Sequence, residues 1–319
     1  MSSAVSQIIL APMEGVLDAL MREILTSINP FDLCITEFIR VVDQLLPERV
    51  FHRMSPELLN GGKTKSNTPI RLQLLGQDPN WMAENAVRAI ELGSNGIDLN
   101  FGCPAKTVNK NKGGAVLLKT PETIYKIVSN VKNSLERNEV VSVKIRLGFD
   151  DTSLLNEIVD AIVQANANLL TIHARTKAQG YRAPAYWHHI GEISERFPIE
   201  IIANGEIWNA DDAHNCIKQA KTNKLMLGRG VLAMPNLGCV VKHNAPQLTW
   251  EQMRNVFLHY CELELAGSKS FYFSSRLKQW LRYLKIHYPQ AELLFDQIKT
   301  LKDKNAITEK FEMLSVLEH

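Results

Sequence analysis

The residues able to do chemistry gather at the ends of short apolar runs. Cys103 lies in LNFGCPAKTVNKNKGGA, between Gly102 and Pro104. A turn at that point presents the thiol just past the end of a strand. The next residues include Lys106, Lys110, Lys112, Gly113 and Gly114. They read as a mobile cationic loop able to close over a polyanion, with positive charge that would tune the thiol. Buried cysteines are otherwise inert packing, which is how Cys34, Cys216, Cys239 and Cys261 read. Lys144 and Arg146 end a second run. An inward lysine on an apolar strand is costly without an anionic partner. That partner is either a bound anion or an ion pair with Glu14 or Glu206. His173, next to Arg175 in TIHART, reads either as a satisfied core histidine or as a donor to a ligand.

Two late runs end in glycine turns, Asn204-Gly205-Glu206 and Gly228-Arg229. Glycine lets a backbone approach an anion, and the N–H groups of such a turn can hold phosphate. The alternative is a pair of tight turns with an arginine on the surface. Earlier runs end in Pro12-Met13-Glu14-Gly15, in Gln73 and in Asn100.

The runs that carry these residues are QIILAPMEG, LCITEF, IRLQLLGQ, GIDLNFGCP, VSVKIRLG, LLTIHART, EIIANGEI and KLMLGRG. Rich in Ile, Val and Leu and too short for buried helices, they read as parallel strands. Helix-like stretches such as WMAENAVRAIELG, PETIYKIVSNVKNSLE and LLNEIVDAIVQANA lie between them. Asp78 and Thr120 stand where N-caps belong, Pro79 and Pro121 at the first helical position, and Gly93 past a helix end. Alternating strands and helices predict a (β/α)8 TIM barrel. A doubly wound open sheet is the rival, but APMEGV after the first strand is not GxGxxG. In a barrel the strand ends above converge on one face, and turns after the last two strands are a frequent phosphate site. A flavin gains negative charge at its N1/C2=O edge on reduction, and a lysine placed as Lys144 would favour that state.

From Asn244 onward the text reads as helices: TWEQMRNVFLHYCELELAG, FYFSSRLKQWLRYLKIHY and QAELLFDQIKTLKDK. We therefore expect residues 1–243 to form the catalytic barrel and 244–319 a smaller all-helical domain. The final Leu317-Glu318-His319 reads as an expression-vector remnant.

The 319 residues are 45% hydrophobic and 22% charged, which excludes bulk disorder and fibrous classes. A net charge of +2 does not suggest nucleic-acid binding through overall charge, so any such claim rests on local patterning. Five cysteines without CxxC spacing suggest neither a disulfide framework nor a metal site. No run reaches the roughly 18 apolar residues of a membrane span. The cytoplasm is the simplest compartment.

The stretch GIDLNFGCPAKTVNKNKGGA resembles the signature of the dihydrouridine synthases, flavoenzymes that reduce uridine in tRNA. APMEG, QLLG, KIRLG, HART, ANGEI and GRG resemble the same family in the same order along the chain. PMEGVLDAL, DLCITEFIRVVDQLLP and RLKQWLRYL look closest to the bacterial DusC subgroup, which is similar to a synthase for uridine 16 of the D-loop. The resemblance implies FMN held by Pro12, Met13, Glu14, Gln73, Lys144, His173, Asn204, Gly205, Glu206, Gly228 and Arg229, with NADPH as reductant. It implies Cys103 as proton donor and Asn100 as a residue positioning the base. Arg40, Arg146, Arg276, Lys278 and Lys299 match positions implied in tRNA contacts, Lys299 standing where an arginine is expected. No metal, membrane or stable protein partner is implied.

Local charge fits an RNA partner. Residues 269–304 hold eight Lys and Arg against three Asp and Glu. Phe271, Tyr272, Phe273, Trp280 and Tyr283 interleave with them and read as a core stripe, the cations as phosphate contacts. Two other readings share parts of this pattern. One is a flavin barrel acting on a free pyrimidine, as dihydroorotate-type dehydrogenases do; the other is a flavin-containing RNA-binding protein without reductase activity.

Overall fold

The computed structural model describes residues 5–267 and 270–316, with side chains described to residue 310. Lys269 and the terminal 317–319 lie outside the described residues. The predicted barrel is present: eight parallel strands close in sequence order, with β1 paired to β8. They are β1 Gln7–Leu10, β2 Leu33–Arg40, β3 Ile70–Leu75, β4 Ile97–Asn100, β5 Val141–Arg146, β6 Leu169–His173, β7 Glu200–Asn204 and β8 Lys224–Leu227. Every residue of β3 and β4 is buried, the pattern of strands covered on both faces. Ile9, Leu33, Ile35, Ile202 and Met226 form a small cluster of their own. Their neighbours Ile8, Leu10, Cys34 and Ile201 join the larger core instead, as the twofold alternation of strand side chains requires.

The barrel helices are α1 Ala19–Ser27, α2 Glu48–Met54, α3 Pro79–Glu91, α4 Lys106–Lys110, α5 Pro121–Ser134, α6 Leu155–Gln164, α7 Trp187–Arg196, α8 Ala210–Ala220, α9 Gly230–Ala233 and α10 Leu237–His243. Asp78 caps α3, its carboxylate accepting from Asn80 and Trp81 N–H. Thr120 occupies the N-cap of α5 but makes no side-chain cap; its hydroxyl donates to the Leu117 carbonyl at 3.3 Å. Gly93 follows α3 at φ +98°, a left-handed position that favours glycine.

The chain then continues in helices: α11 Trp250–Ala266, α12 Phe273–Leu284, α13 Pro289–Ile298 and α14 Lys304–Val316. The third predicted helix is shorter than its text, because α13 stops at Ile298. Asp303 then opens α14 by accepting from Ala306 N–H at 2.9 Å. Trp280 is buried and donates its indole N–H to the Leu232 carbonyl of α9 at 3.1 Å. Tyr260 and Phe257 pack on its ring, with centroids 4.9 and 5.6 Å away. Arg276 reaches Asp18, the N-cap of α1, at 2.5 Å, and Glu264 of α11 at 3.3 Å. These contacts seat the helical segment on the barrel beside the end where β1 and β8 finish.

Candidate active site

A cavity of about 630 Å³ opens at the C-terminal ends of the strands. The barrel register explains the gathering: Asn100 pairs with Lys144, Arg146 with His173, and His173 with Asn204. Pro12, Met13, Glu14, Gln73, Asn100, Cys103, Lys144, Arg146, His173, Asn204, Gly205, Glu206, Gly228 and Arg229 all line it. Arg40, Arg276, Lys278 and Lys299 do not. Arg40 lines a separate cavity, Arg276 pairs with Asp18 and Glu264, Lys278 donates to the Leu301 carbonyl, and Lys299 pairs with Asp296 at 2.9 Å.

Cys103 is held by a short relay of hydrogen bonds. The Asn100 side-chain Oδ1 accepts from Gly102 and Cys103 N–H at 2.9 and 3.0 Å. Its amide donates to Gln73 Oε1 at 2.7 Å, Gln73 donates to Asp98 at 2.7 Å, and Asp98 accepts from Ser142 at 2.5 Å. Asn100 thus fixes the turn that carries the thiol. Among the described residues, one Gln73 amide N–H has no protein partner. Burial pushes the Cys103 thiol up, with Glu14 adding to the shift and the Ala105 N–H, Arg146 and Lys144 opposing it. The sequence suggests that the loop lysines tune the thiol, whereas the cations that act on it are Arg146 and Lys144. In the structure burial outweighs them, and the group is a neutral thiol at pH 7, able to donate a proton.

Lys144 lines the cavity and donates to Asn204 Oδ1 at 3.1 Å. Burial, then the neighbouring Arg146, pulls its ammonium down to about 8 against the opposing pull of Asp98. The alternative ion pair with Glu14 or Glu206 is not formed. Glu206 instead takes Arg175, Arg229 at 3.5 Å and the Trp208 indole N–H at 2.8 Å. Burial would raise its carboxyl, but Arg175 and Trp208 hold it below the usual range. His173 falls well below its usual value through burial and the cations Arg146, Lys144, Arg175 and Arg229. Its Nδ1 is buried without a partner among the described residues. An unpaired buried lone pair is tolerated better than an unpaired N–H, which favours the tautomer with hydrogen on Nε2.

Gly205 has φ +115°, and a Cβ there would come within 3.3 Å of His173 Nε2. With Gly228 and Arg229 across β8, the turn leaves backbone and guanidinium facing the cavity. Donors at Gln73, Lys144 and Arg229, beside a neutral imidazole and two glycine turns, fit an anionic, hydrogen-bond-accepting cofactor such as a flavin mononucleotide.

Arg146 donates to the Gly102, Thr176 and Gly180 carbonyls at 2.8, 3.2 and 2.9 Å, tying the Cys103 turn to the loop after β6. Tyr181 in that loop takes Arg146 and Arg229 guanidinium groups 5.1 and 4.7 Å from its ring centre. Glu37, Tyr181, Trp208 and Tyr283 line the cavity and escape the sequence reading as site residues. Glu37 sits inside β2 and accepts from Gly15 N–H at 2.5 Å; burial raises its carboxyl. Tyr283 belongs to α12 and reaches the barrel cavity, so it departs from the expected core stripe; Phe271 and Tyr272 are exposed, whereas Phe273 and Trp280 are buried. A glycine beside an aromatic, as in Gly180-Tyr181, is the one local signal that pointed to a loop aromatic.

A TIM barrel with a cationic, glycine-rimmed cavity and a neutral thiol at its mouth is suited to holding an anionic ligand beside a proton donor. Similar folds include 2-naphthoyl-CoA reductase, with a TM-score of 0.57 at 11% identity over 76% of this chain and 51% of that one. Morphinone reductase has a TM-score of 0.53 at 11% identity over 78% and 90% of the two chains. Sequence comparison goes further. The profile of the family described as Dihydrouridine synthase (Dus) matches residues 9–316. The tRNA-dihydrouridine(16) synthase of Shewanella oneidensis is 53% identical over 96% of this chain and 97% of its own. That of Escherichia coli strain K12 is 49% identical over 97% and 99%. The chain belongs to the dihydrouridine synthase family. It is an enzyme of that family, and tRNA is its substrate.

Proposed function

We propose that this protein reduces a D-loop uridine of tRNA to 5,6-dihydrouridine at position 16, with FMN in the barrel-mouth cavity and NADPH as the source of electrons. The position follows the names of relatives about half identical over nearly the whole chain. One observation carries the chemistry: a single cavity collects Cys103, Lys144, the Asn204–Glu206 turn, Gly228-Arg229 and, from the helical segment, Tyr283.

A reduced flavin held there would supply the hydride for uracil C6. The chain does the rest. Cys103 gives its proton to C5, a role suited to a thiol kept neutral by burial. Asn100 holds Cys103 through the backbone of the turn. Lys144, Pro12, Met13, Glu14, Gln73 and His173 line the cavity and would hold the flavin ring, with Lys144 offsetting the negative charge it gains on reduction. Gly205, Glu206, Gly228 and Arg229 would hold the cofactor phosphate, Glu206 by orienting Arg229. Residues 244–319 act as the tRNA-recognition domain, supplying the binding energy needed to splay a uridine out of a folded tRNA. Arg40, Arg146, Arg276, Lys278 and Lys299 are the candidate contacts. Arg276 and Lys278 act mainly by shaping the helical surface, given their protein partners. No further protein subunit is required, and the substrate makes the cytoplasm the compartment.

Purified protein, NADPH and unmodified tRNA transcript form the test. Dihydrouridine at position 16 supports the reading. Turnover of a free pyrimidine instead, retained after deletion of 244–319, would replace it.

A further inference from the structure

A second cavity, of about 340 Å³, opens beside the first. It lies between the end of β2, the turn after β3 and the outer rim of the segment that carries Cys103. Arg40, Lys110 and Lys112 line it, all exposed, and no acidic residue does. Among the described residues none of these three cations pairs with a carboxylate. Some surface cations elsewhere do: Lys119 with Asp150, Lys221 with Glu195, Lys242 with Asp32. Three like charges around a concavity raise a positive potential that an anion relieves. Gln77 and Gly113 add polar groups, and Val42, 54% exposed, gives the rim an apolar side. That mixture suits a sugar-phosphate strand better than a free small anion.

The cavity also adjoins the thiol. Leu75 lines it and packs on Cys103 and Val108, while Phe38, in the same cluster, lines the main cavity. The Cys103 carbonyl accepts from Asn109 Nδ2 at 2.9 Å and from Ala115 N–H at 3.1 Å. The segment between is therefore closed on itself, and Lys110 and Lys112, the latter at φ +57°, ride on it.

We propose that this cavity is a subsite for a phosphodiester of the RNA strand that bears the reactive uridine, and that filling it fixes the Cys103 segment. The proposal rests on the reading of tRNA as the molecule reduced. A phosphate ester could also come from the dinucleotide reductant. The exposed Val42 beside the three cations suits an extended sugar-phosphate strand, which favours RNA. Lys110 and Lys112 are then positioning residues, acting on the reaction through Cys103.

The test uses full-length flavin-loaded protein and an unmodified tRNA transcript, with binding measured across a series of KCl concentrations. The double variant Lys110→Gln/Lys112→Gln removes two phosphate contacts. The slope of log K against log salt should fall by roughly 1.4 to 1.8, at about 0.7 to 0.9 per contact. Flavin content and melting temperature should match the parent protein. Lys218→Gln, an exposed lysine on α8 far from the cavity, should leave the slope unchanged. At saturating tRNA the double variant should also reduce bound tRNA more slowly, and Lys110→Arg/Lys112→Arg should restore both slope and rate. An unchanged slope in a well-folded double variant overturns the subsite. An altered slope with an unchanged saturating rate overturns the link to Cys103. A rise in the NADPH concentration needed for flavin reduction, with the tRNA slope untouched, assigns the phosphate to the dinucleotide and overturns the RNA assignment. Failure of the parent reading looks different: the unsubstituted protein then forms no dihydrouridine in any tRNA.

Discussion

Lys144 gives the cofactor site a pH dependence that can be worked out in advance. Burial and Arg146 set its ammonium at about 8 in the protein without cofactor. If FMN binds the charged form, the apparent dissociation constant scales with the inverse of the charged fraction. About nine-tenths of the lysines are charged at pH 7 and about one-tenth at pH 9, so affinity should fall roughly tenfold, or about 1.4 kcal/mol. The other groups do not mimic this. The FMN phosphate, with a second pKa of about 6, is already ionised throughout, and burial keeps the Cys103 thiol neutral over most of the range. The sign for the apoprotein is opposite. A lysine whose folded value lies below its unfolded 10.5 destabilises the fold while charged, so apoprotein stability should rise from about pH 8 toward the unfolded value. The assay is quenching of FMN fluorescence at pH 7, 8 and 9, beside apoprotein melting at the same values. Lys144→Met should bind FMN more weakly at pH 7 and lose the pH dependence. A flat profile in the parent protein, or a profile that survives Lys144→Met, refutes the reasoning.

Other outcomes follow from named contacts. Asn100→Ala removes one amide donor and an oxygen holding two backbone N–H groups of the Cys103 turn. It should cost about 2–4 kcal/mol in chemical denaturation and slow tRNA reduction more than flavin reduction; equal slowing of both would contradict the assigned role. Gly205→Ala places a Cβ 3.3 Å from the His173 ring at a left-handed φ, a strain of roughly 1–3 kcal/mol. Flavin content after dialysis should drop while the far-ultraviolet spectrum stays the same. Trp280→Ala leaves a cavity in the joint between helices and barrel, about 3–5 kcal/mol in stability. It should weaken tRNA binding well beyond its effect on flavin content, and a variant with normal tRNA affinity would detach that joint from recognition.

Much of this architecture is legible because the barrel repeats one physical problem. A strand covered on both faces must be a short apolar run, so VSVKIRLG and LLTIHART announce β5 and β6 without help from neighbours. The chemistry at their ends is legible for the same reason, since Lys144, Arg146 and His173 interrupt runs that should be apolar. What the sequence hides is contact between distant segments. Nothing in FSSRLKQWLRYL tells that Trp280 docks on the barrel while Tyr283, three residues on, enters its mouth. Glu37 reads as an ordinary polar strand residue until its carboxylate is seen holding Gly15. Arg276 resembles a phosphate ligand in the linear pattern, yet its guanidinium is turned to Asp18 and Glu264. The break between α13 and α14 falls inside a lysine-rich stretch that reads as continuous helix, and the structure places Asp303 there as the cap of α14.

The central claim is that Cys103 protonates a uridine at one place in tRNA. Nucleotide-resolution mapping of dihydrouridine in tRNA, from cells with and without this gene, tests it most directly. The account predicts loss at position 16 alone, restored by the unsubstituted gene and not by Cys103→Ala, whose product still carries its flavin and binds tRNA. Full restoration by Cys103→Ala would contradict the assignment of the acid, and unchanged dihydrouridine at every position in the deletion strain would contradict the function itself.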